Sequence, residues 1–356
     1  MEVIVNFGGI LSKGHHPLFT AQNRSFRYGD GLFESIRLQE GRVPLLSFHL
    51  QRLFEGMAFL GMQRPSEMNG EYFLEQILYT CQQWPNARVR LSVFRADGGL
   101  YAPATDRPLW LIEASALPEA GYAFENRGWK VAPWTGVELS CQPLTQFKTA
   151  NRLPYVLASR EARRSGLDQV ILFNQHGRPA EGNSSNLFLA LDNELWTPPV
   201  AEGCVAGVLR RLVLEIAPSL GLKIYEQPIP PALLTQAPVA FLTNAIQGIR
   251  WVSELSGNRL AAGPAPRLVD ALNEYLRFEL GSNSCNNTIE LLKNLYHPAF
   301  LRQLAQDLCR TYPSFDEDRF LRDVLDAEWE SCGLKVCDHD PASQKIRTFT
   351  LRKSAT

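Results

Sequence analysis

A lysine and a glutamate of this chain have the side chains that an aldehyde cofactor with a pyridine ring requires. Lys148 is followed along the sequence by the run Glu181-Gly182-Asn183-Ser184-Ser185-Asn186-Leu187-Phe188. A lysine amine can attach an aldehyde cofactor covalently. A carboxylate beside a pyridine nitrogen keeps that nitrogen protonated, so that the ring can accept carbanion charge. Alone, either residue is more often a solvated surface charge, so other segments have to decide between the two interpretations.

Further segments surround this pair in a fixed order. They are Tyr28-Gly29-Asp30-Gly31-Leu32-Phe33-Glu34, His49–Leu53, Gly203–Arg210 and Thr243–Ile246. With them the chain resembles, up to about Leu280, the fold-type IV pyridoxal-phosphate (PLP) enzymes. This family holds branched-chain aminotransferases, D-amino-acid aminotransferases and aminodeoxychorismate lyases. One such match alone carries little weight, whereas several in family order make chance a poor explanation.

The resemblance implies roles for individual residues. Lys148 carries PLP and moves the proton of the substrate, and Glu181 faces the pyridine nitrogen. An arginine offers several donors to phosphate oxygens, and a helix that opens at Gly207 presents free amides to an anion. The cofactor contacts implied are therefore Arg52, Lys148, Glu181, the backbone amides of Val208 and Leu209, and Thr243 and Asn244.

The substrate contacts and the reaction follow less directly from the resemblance. The expected substrate-binding residues are Tyr28, Phe33, Arg37, Arg90 and Ala245. The loop Gly98-Gly99-Leu100-Tyr101 lacks the R-x-H of D-amino-acid aminotransferases and is similar to the loop of the lyases. The expected substrate residues stand where branched-chain aminotransferases carry like residues, and on that ground we predict amino transfer between a branched-chain-like L-amino acid and a 2-oxo acid. The alternative is 4-amino-4-deoxychorismate lyase activity, which releases pyruvate and 4-aminobenzoate.

Composition excludes several other classes of protein. The 356 residues are 45% hydrophobic and 21% charged, with a formal net charge of −1, so no basic patch indicates nucleic acid. No apolar run reaches membrane-spanning length, and the N-terminus lacks the pattern of a signal peptide. The seven cysteines fit no standard zinc spacing. We expect a cytoplasmic enzyme with no metal, which forms a homodimer as the resemblance implies.

The elements that must position these residues alternate between strand and helix patterns. Period-two stretches predict strands at 32–38, 88–94, 169–173 and 186–191, and helical spacing predicts helices over 47–60, 154–165 and 207–220. The prediction is an α/β (α+β) chain with the two-domain fold-type IV architecture (D-amino-acid aminotransferase-like) and a short C-terminal helical tail. Its parts are a small domain 1–117, a linker 118–128, a large PLP-binding domain 129–280, a linker 281–287 and the helical tail 288–356.

The tail lies outside the resemblance to PLP enzymes. Residues 288–334 are faintly similar to the first helices of a HEAT-like DNA alkylation repair protein, but a repeat array needs several units to bury a core. We favour a helical appendage without DNA chemistry. A non-catalytic protein or a DNA-binding module is the alternative class; the complete set of PLP motifs argues against the first and the near-neutral charge against the second.

Overall fold

The structure is a computed structural model that describes residues 3–14, 18–118, 121–281, 334–339 and 346–351. It divides into two compact units, Met1–Asn273 and Glu274–Thr356. All residues of the candidate site belong to the first unit. Within the described ranges, every helix is too short or too polar to cross a membrane.

The first sheet is antiparallel and has the strand order β2-β1-β5-β4-β3. Its strands are β1 (Ile4–Phe7), β2 (Ile10–Lys13), β3 (Gly31–Leu38), β4 (Ala87–Arg95) and β5 (Pro108–Ala116). Three helices accompany it, namely α1 (Arg24–Tyr28), α2 (Leu46–Phe59) and α3 (Gly70–Thr80). Ile36, Leu91 and Ile112 point to one face and are fully buried with apolar residues of α2 and α3, as alternation along a half-covered sheet requires.

The opposite face of this sheet carries polar and charged residues. Ser35 lies opposite Arg90, and Arg37 lies opposite Arg88, in the register of β3 and β4. Because successive side chains of a strand point to opposite faces, these four residues and Phe33 share one face. The alternation predicted for residues 88–94 therefore places arginines away from the apolar core.

The second sheet has nine strands and mixed directions. They are β6 (Trp129–Leu139), β7 (Gln169–Asn174), β8 (Pro179–Gly182), β9 (Asn186–Leu191), β10 (Glu194–Thr197), β11 (Lys223–Glu226), β12 (Val239–Asn244), β13 (Gly248–Leu255) and β14 (Asn258–Arg259). Its helices are α4 (Leu153–Arg164), α5 (Val208–Ile216), α6 (Pro231–Gln236) and α7 (Ala265–Gly281). β9 and β12 are buried along almost their whole length, which explains their nearly continuous apolar sequences.

The predicted helices and strands of residues 32–216 match observed elements within one or two residues. One difference is the helix predicted over 207–220, which ends as an α-helix at Ile216 and continues as a 3-10 turn to Leu220. Pro218 lies in that turn and has no amide to continue the ladder. The predicted domain division at 118–128 stays a prediction, although the first sheet uses only residues before it and the second only residues after it.

The second unit contains a strand pair where the sequence suggested only helix. β15 (Leu334–His339) and β16 (Ile346–Leu351) pair antiparallel, with Val336 opposite Phe349. The prediction of a wholly helical tail is therefore wrong for these residues. The run Ile346-Arg347-Thr348-Phe349-Thr350-Leu351 is rich in β-branched and aromatic residues, which favour strands. The sequence also shows helical spacing of apolar residues at 300–308 and 320–329, and these two predicted helices lie outside the described residues. So does the HEAT-like similarity at 288–334, except for Leu334.

Candidate active site

A cavity of about 710 Å³ lies between the polar face of the first sheet and the ends of β8, β9 and β12. Both Lys148 and Glu181 line it. The lining contains five basic side chains and one acidic one, and the basic ones are Arg52, Arg88, Arg90, Lys148 and Arg152. Such a surplus of positive charge favours a ligand that carries several negative charges.

Lys148 is held beside β3 by backbone hydrogen bonds. The amide of Phe33 donates to the Lys148 carbonyl at 2.8 Å, and the amide of Ala150 donates to Gly31 at 2.8 Å. The Lys148 amine lies 4.5 Å from the centre of the Phe33 ring. Burial, and then the positive charges of Arg52 and Arg152, lower the pKa of Lys148 to about 7. A large share of these amines is therefore neutral, and so nucleophilic, at neutral pH.

Glu181 is a buried carboxylate surrounded by donors. The Tyr155 hydroxyl donates to Oε1 at 2.6 Å, and the Val205 amide donates to Oε2 at 3.2 Å. Burial raises the pKa of Glu181, while the Tyr155 hydrogen bond and the charge of Arg152 act in the opposite direction. The donors favour the anion that a protonated pyridine nitrogen needs as its partner.

Arg52 is fixed by Glu34, a residue of the first sequence motif that we did not single out. Its Nε and Nη2 donate to the two oxygens of Glu34 at 2.8 and 2.5 Å, and Nη1 donates to the Ala206 carbonyl at 2.6 Å. His49 Nδ1 bonds the same carboxylate at 2.7 Å. Burial would raise the pKa of Glu34, but Arg52 and His49 lower it to about 2. The guanidinium is therefore oriented before any ligand arrives.

The residues at the start of α5 fit a phosphate group. A Cβ on Gly207 would lie 1.8 Å from Asn186 Oδ1, so only glycine lets the backbone pass here. Val208 and Leu209 are the first residues of α5, whose amides have no acceptor within the helix. Thr243 Oγ1 is buried and has no hydrogen-bond partner among the described residues. An anion between these donors would satisfy them.

Asn244 and its neighbours form a tight turn at the end of β12. Asn244 Oδ1 accepts from the amides of Ile246 and Gln247 at 3.1 and 2.8 Å. Arg37 Nη1 donates to the Ile246 carbonyl at 2.7 Å. Asn244 and Ala245 line the cavity, whereas Arg37 does not. In this chain Arg37 therefore braces the turn instead of facing the cavity.

Of the other predicted substrate residues, two reach the cavity and one does not. Phe33 and Arg90 line it, with the Arg90 guanidinium 3.6 Å from the centre of the Phe33 ring. Arg90 Nε also lies 3.6 Å from a Glu113 oxygen. Tyr28 is not among the lining residues; it packs against Tyr101 on the surface, with ring centres 5.5 Å apart. The structure thus places Tyr28 outside the cavity, next to Tyr101.

Sequence reasoning did not identify several residues of the cavity wall, among them Arg88, Arg152 and Tyr155. Arg88 lies two positions before Arg90, so strand alternation could have placed both on one face. Arg152 and Tyr155 lie one helical turn apart at the start of α4. Their closeness to Lys148 along the chain was the only sequence signal for these two residues. The contact of Tyr155 with Glu181 could not be predicted, because the two residues are 26 positions apart.

This chain is similar to known proteins in both sequence and structure. The family model described as "Amino-transferase class IV" matches residues 31–255. The aminodeoxychorismate lyase of Vibrio harveyi is 27% identical over 249 residues, which cover 69% of this chain and 89% of that protein. The branched-chain-amino-acid aminotransferase of Pseudomonas aeruginosa is 25% identical over 269 residues, which cover 73% and 87%.

A solved structure extends the similarity to the fold. The branched-chain aminotransferase of Thermoproteus uzoniensis, crystallised with norvaline, superimposes with a TM-score of 0.69 at 25% identity. The match covers 80% of this chain and 97% of that one. The aligned part of this chain thus corresponds to nearly the whole of the Thermoproteus uzoniensis enzyme.

Proposed function

This chain belongs to the class IV aminotransferase family, and we propose that it transfers an amino group between a branched-chain-like L-amino acid and a 2-oxo acid. The fold-type IV architecture and the dependence on PLP that the sequence predicted are confirmed. The observation that carries the proposal is the single cavity in which a lysine with a pKa near 7 and a buried glutamate lie beside a cradle for phosphate.

We assign the cofactor contacts residue by residue. Arg52, the amides of Val208 and Leu209, Thr243 and Asn244 hold the phosphate, and Glu181 holds the pyridine nitrogen. PLP, when bound, supplies a ring that accepts negative charge from the α-carbon of the substrate. Glu181 keeps that ring protonated by a charge-assisted hydrogen bond.

Lys148 has two roles in this proposal. Its neutral amine attaches the cofactor between turnovers, and during turnover the same amine takes and returns the α-proton as a general base. A pKa near 7 suits both roles, because the amine exchanges protons readily at that pH. Phe33, whose ring lies against the amine, excludes water from one side of it.

The carboxylate of the substrate is held on the side of the cavity formed by Phe33, Arg90 and Ala245. Arg90 offers a planar set of donors that matches a carboxylate. The amide groups of the turn at Ala245 lie at the same end of the cavity as this face of the first sheet. Arg37 supports this turn through Ile246 and is assigned no contact with the substrate.

Lyase activity on 4-amino-4-deoxychorismate is the second candidate function, and one observation favours it. Arg88 lines the cavity beside Arg90 and has no ion pair among the described residues. Aminodeoxychorismate carries two carboxylates, which two arginines would match; of the substrates of the amino transfer, leucine has one carboxylate and 2-oxoglutarate has two. A lyase is also among the relatives.

We also propose a cytoplasmic homodimer. Phe26, Leu100 and Tyr101 are 84%, 72% and 89% exposed around Tyr28, and an apolar patch of this kind suits contact with a second copy. Cys81, Cys141 and Cys204 are free, as a reducing compartment allows. Sedimentation equilibrium tests the dimer, and a Tyr101→Asp variant that stays dimeric would contradict this contact surface. Cell fractionation tests the location.

Product analysis of the purified holoenzyme decides between the two reactions. With leucine and 2-oxoglutarate we expect 4-methyl-2-oxopentanoate and glutamate in equal amounts. With aminodeoxychorismate the lyase reaction would give 4-aminobenzoate and pyruvate instead. Lys148→Ala is the matched control and should abolish either product. Release of 4-aminobenzoate without any oxo acid from leucine would replace the leading proposal by the second.

A further inference from the structure

The chain just before and within the first turn of α4 connects Lys148 to Glu181 through two side chains. Arg152 precedes the helix, and its guanidinium turns back toward the lysine segment. Nε donates to the Thr149 carbonyl at 3.0 Å, and Nη2 donates to the Phe147 carbonyl at 2.5 Å. A single planar group thus holds the carbonyls on both sides of Lys148.

The same guanidinium lies over Tyr155. Its central carbon is 4.9 Å from the centre of the Tyr155 ring, within the range of a cation–π contact. The Tyr155 hydroxyl donates to Glu181 Oε1 at 2.6 Å. Burial, and next the charge of Glu181, raise the pKa of Tyr155, so the phenol remains a donor throughout the pH range of the enzyme.

These contacts are not those of an ordinary helix start. Residues before a helix usually cap its first amides with a short polar side chain, whereas Arg152 makes no such bond. Its donors go instead to the lysine segment, and Arg152 and Tyr155 both line the cavity. The Arg152 side chain therefore contacts the segment that carries Lys148, and the Tyr155 side chain contacts Glu181. Neither side chain caps α4.

We propose that Arg152 and Tyr155 are positioning residues that join Lys148 and Glu181 into one rigid unit. Arg152 fixes the backbone on both sides of the lysine and places a positive charge near its amine. Tyr155 fixes the orientation of the carboxylate and favours its anionic form. The inference rests on the proposed function, because it concerns the same two side chains.

Carbamylation of Lys148 by cyanate in the cofactor-free protein tests the role of Arg152. Only the neutral amine reacts, so the rate against pH, followed on the peptide that contains Lys148, reports the pKa of the amine. We expect a midpoint near 7 for the wild type and an upward shift of about one unit in Arg152→Gln, because a neighbouring like charge has been removed. Arg163→Gln, at an exposed position of the same helix, should leave the midpoint unchanged.

Arg152→Lys separates charge from geometry. Lysine keeps the charge but cannot reach both carbonyls with a planar fork. The midpoint should return to within a few tenths of the wild-type value, while kcat of the holoenzyme stays roughly tenfold lower. A midpoint in Arg152→Gln equal to that of the wild type would overturn the proposal, and so would a shifted midpoint in Arg152→Lys.

Tyr155→Phe tests the contact with Glu181. Loss of the donor should raise the pKa of Glu181, so an NMR titration of the 13C-labelled Glu181 carboxyl group in the cofactor-free protein should move to higher pH by about one unit. An unmoved titration would remove Tyr155 from the proposal. The cyanate experiment needs no cofactor, so its outcome stands apart from the proposed function. If PLP failed to attach to Lys148, the function would fall, even with the Arg152 effect present.

Discussion

Lys148 and Glu181 show how neighbouring charges and hydrogen-bond donors modify the effect of burial on pKa within one cavity. Both are buried, and burial alone disfavours the charged form of each. Near Lys148 the additional charges are arginines, so the amine becomes neutral near pH 7. Around Glu181 the neighbours are donors, which oppose the effect of burial. Burial thus favours the neutral form of both groups, and the arginines add to this effect at Lys148, whereas the donors oppose it at Glu181.

Glu181→Gln tests the counter-charge. The substitution keeps the shape of the side chain but removes its negative charge. We expect kcat to fall about 100- to 1,000-fold, the range for loss of one preorganised electrostatic partner, while the PLP affinity changes little. Steady-state kinetics and a cofactor titration measure the two effects. Glu161→Gln, on the outer part of α4, is the control, and equal activity of the two variants would refute the role.

The pKa of Lys148 predicts how cofactor uptake depends on pH. An ordinary lysine has a pKa near 10.4, and the folded protein lowers it to about 7. The neutral fraction of the amine therefore rises through pH 7 and is nearly complete at pH 8. PLP attachment to the cofactor-free protein should be about tenfold slower at pH 6 than at pH 8. Stopped-flow absorbance would reveal a rate that still climbs above pH 9 if the amine were ordinary.

The sequence predicted which residues belong to the site better than it predicted which partners they contact. The motif His49-Leu50-Gln51-Arg52-Leu53 on a predicted helix places His49 and Arg52 on one face, because they are three residues apart. Nothing in that helix indicated that both bond Glu34, since the partner lies on a strand 15 and 18 residues away. The direction of Arg37 also could not be predicted, because it depends on a turn 209 residues further along the chain.

At the scale of elements, strands and helices with clear periodicity were predictable and their pairing was not. The buried strand at 169–173 and the helix over 154–165 were both expected from the sequence. The parallel pairing of β6 with β13 joins residues more than 100 positions apart, and no local pattern encodes it. α3 was not predicted, although Asn69 caps it by accepting from the Tyr72 amide, a signal that the sequence does contain.

A substitution at Gly207 tests the close contact between Asn186 of β9 and the start of α5. Any Cβ there would collide with Asn186 Oδ1, and Asn186 also donates to the Val205 carbonyl at 2.8 Å. Gly207→Ala should therefore displace the first turn of α5 and weaken PLP binding by roughly tenfold or more. Gly70→Ala is a matched control, because a Cβ there meets nothing closer than 3.8 Å. Equal cofactor dissociation constants in the two variants would contradict the phosphate cradle.

At the scale of the whole molecule, the part of the chain with PLP motifs was predicted well, whereas one strand pair in the C-terminal part was not expected. Ordered motifs identify a family because each has a chemical reason, whereas the tail has only composition and periodicity. The short polar run from Gly281 indicated a linker, but the strand pair β15–β16 was not expected. Six-residue strands have weak sequence signals, so an antiparallel pair of this length is easily missed.

Truncation after Leu280 tests whether the site is complete without the last residues. Every residue assigned to the cofactor or the substrate precedes residue 248, and among the side chains of α7 that the structure describes, Leu276 is the last buried one. We expect the shortened protein to keep its cofactor absorption and its kcat within about twofold, and not to bind DNA at physiological salt. A folded truncated protein that cannot bind PLP would show that residues 281–356 contribute to the cavity.

The central claim is that Lys148 carries the cofactor, and chemical trapping tests it most directly. The purified holoenzyme should show the visible absorption of lysine-bound PLP and lose it on reduction with borohydride. Peptide mapping should then find the reduced cofactor on Lys148 alone, and Lys148→Ala should show neither the band nor the label. A label on any other lysine, or a protein that takes up no PLP, would contradict the account.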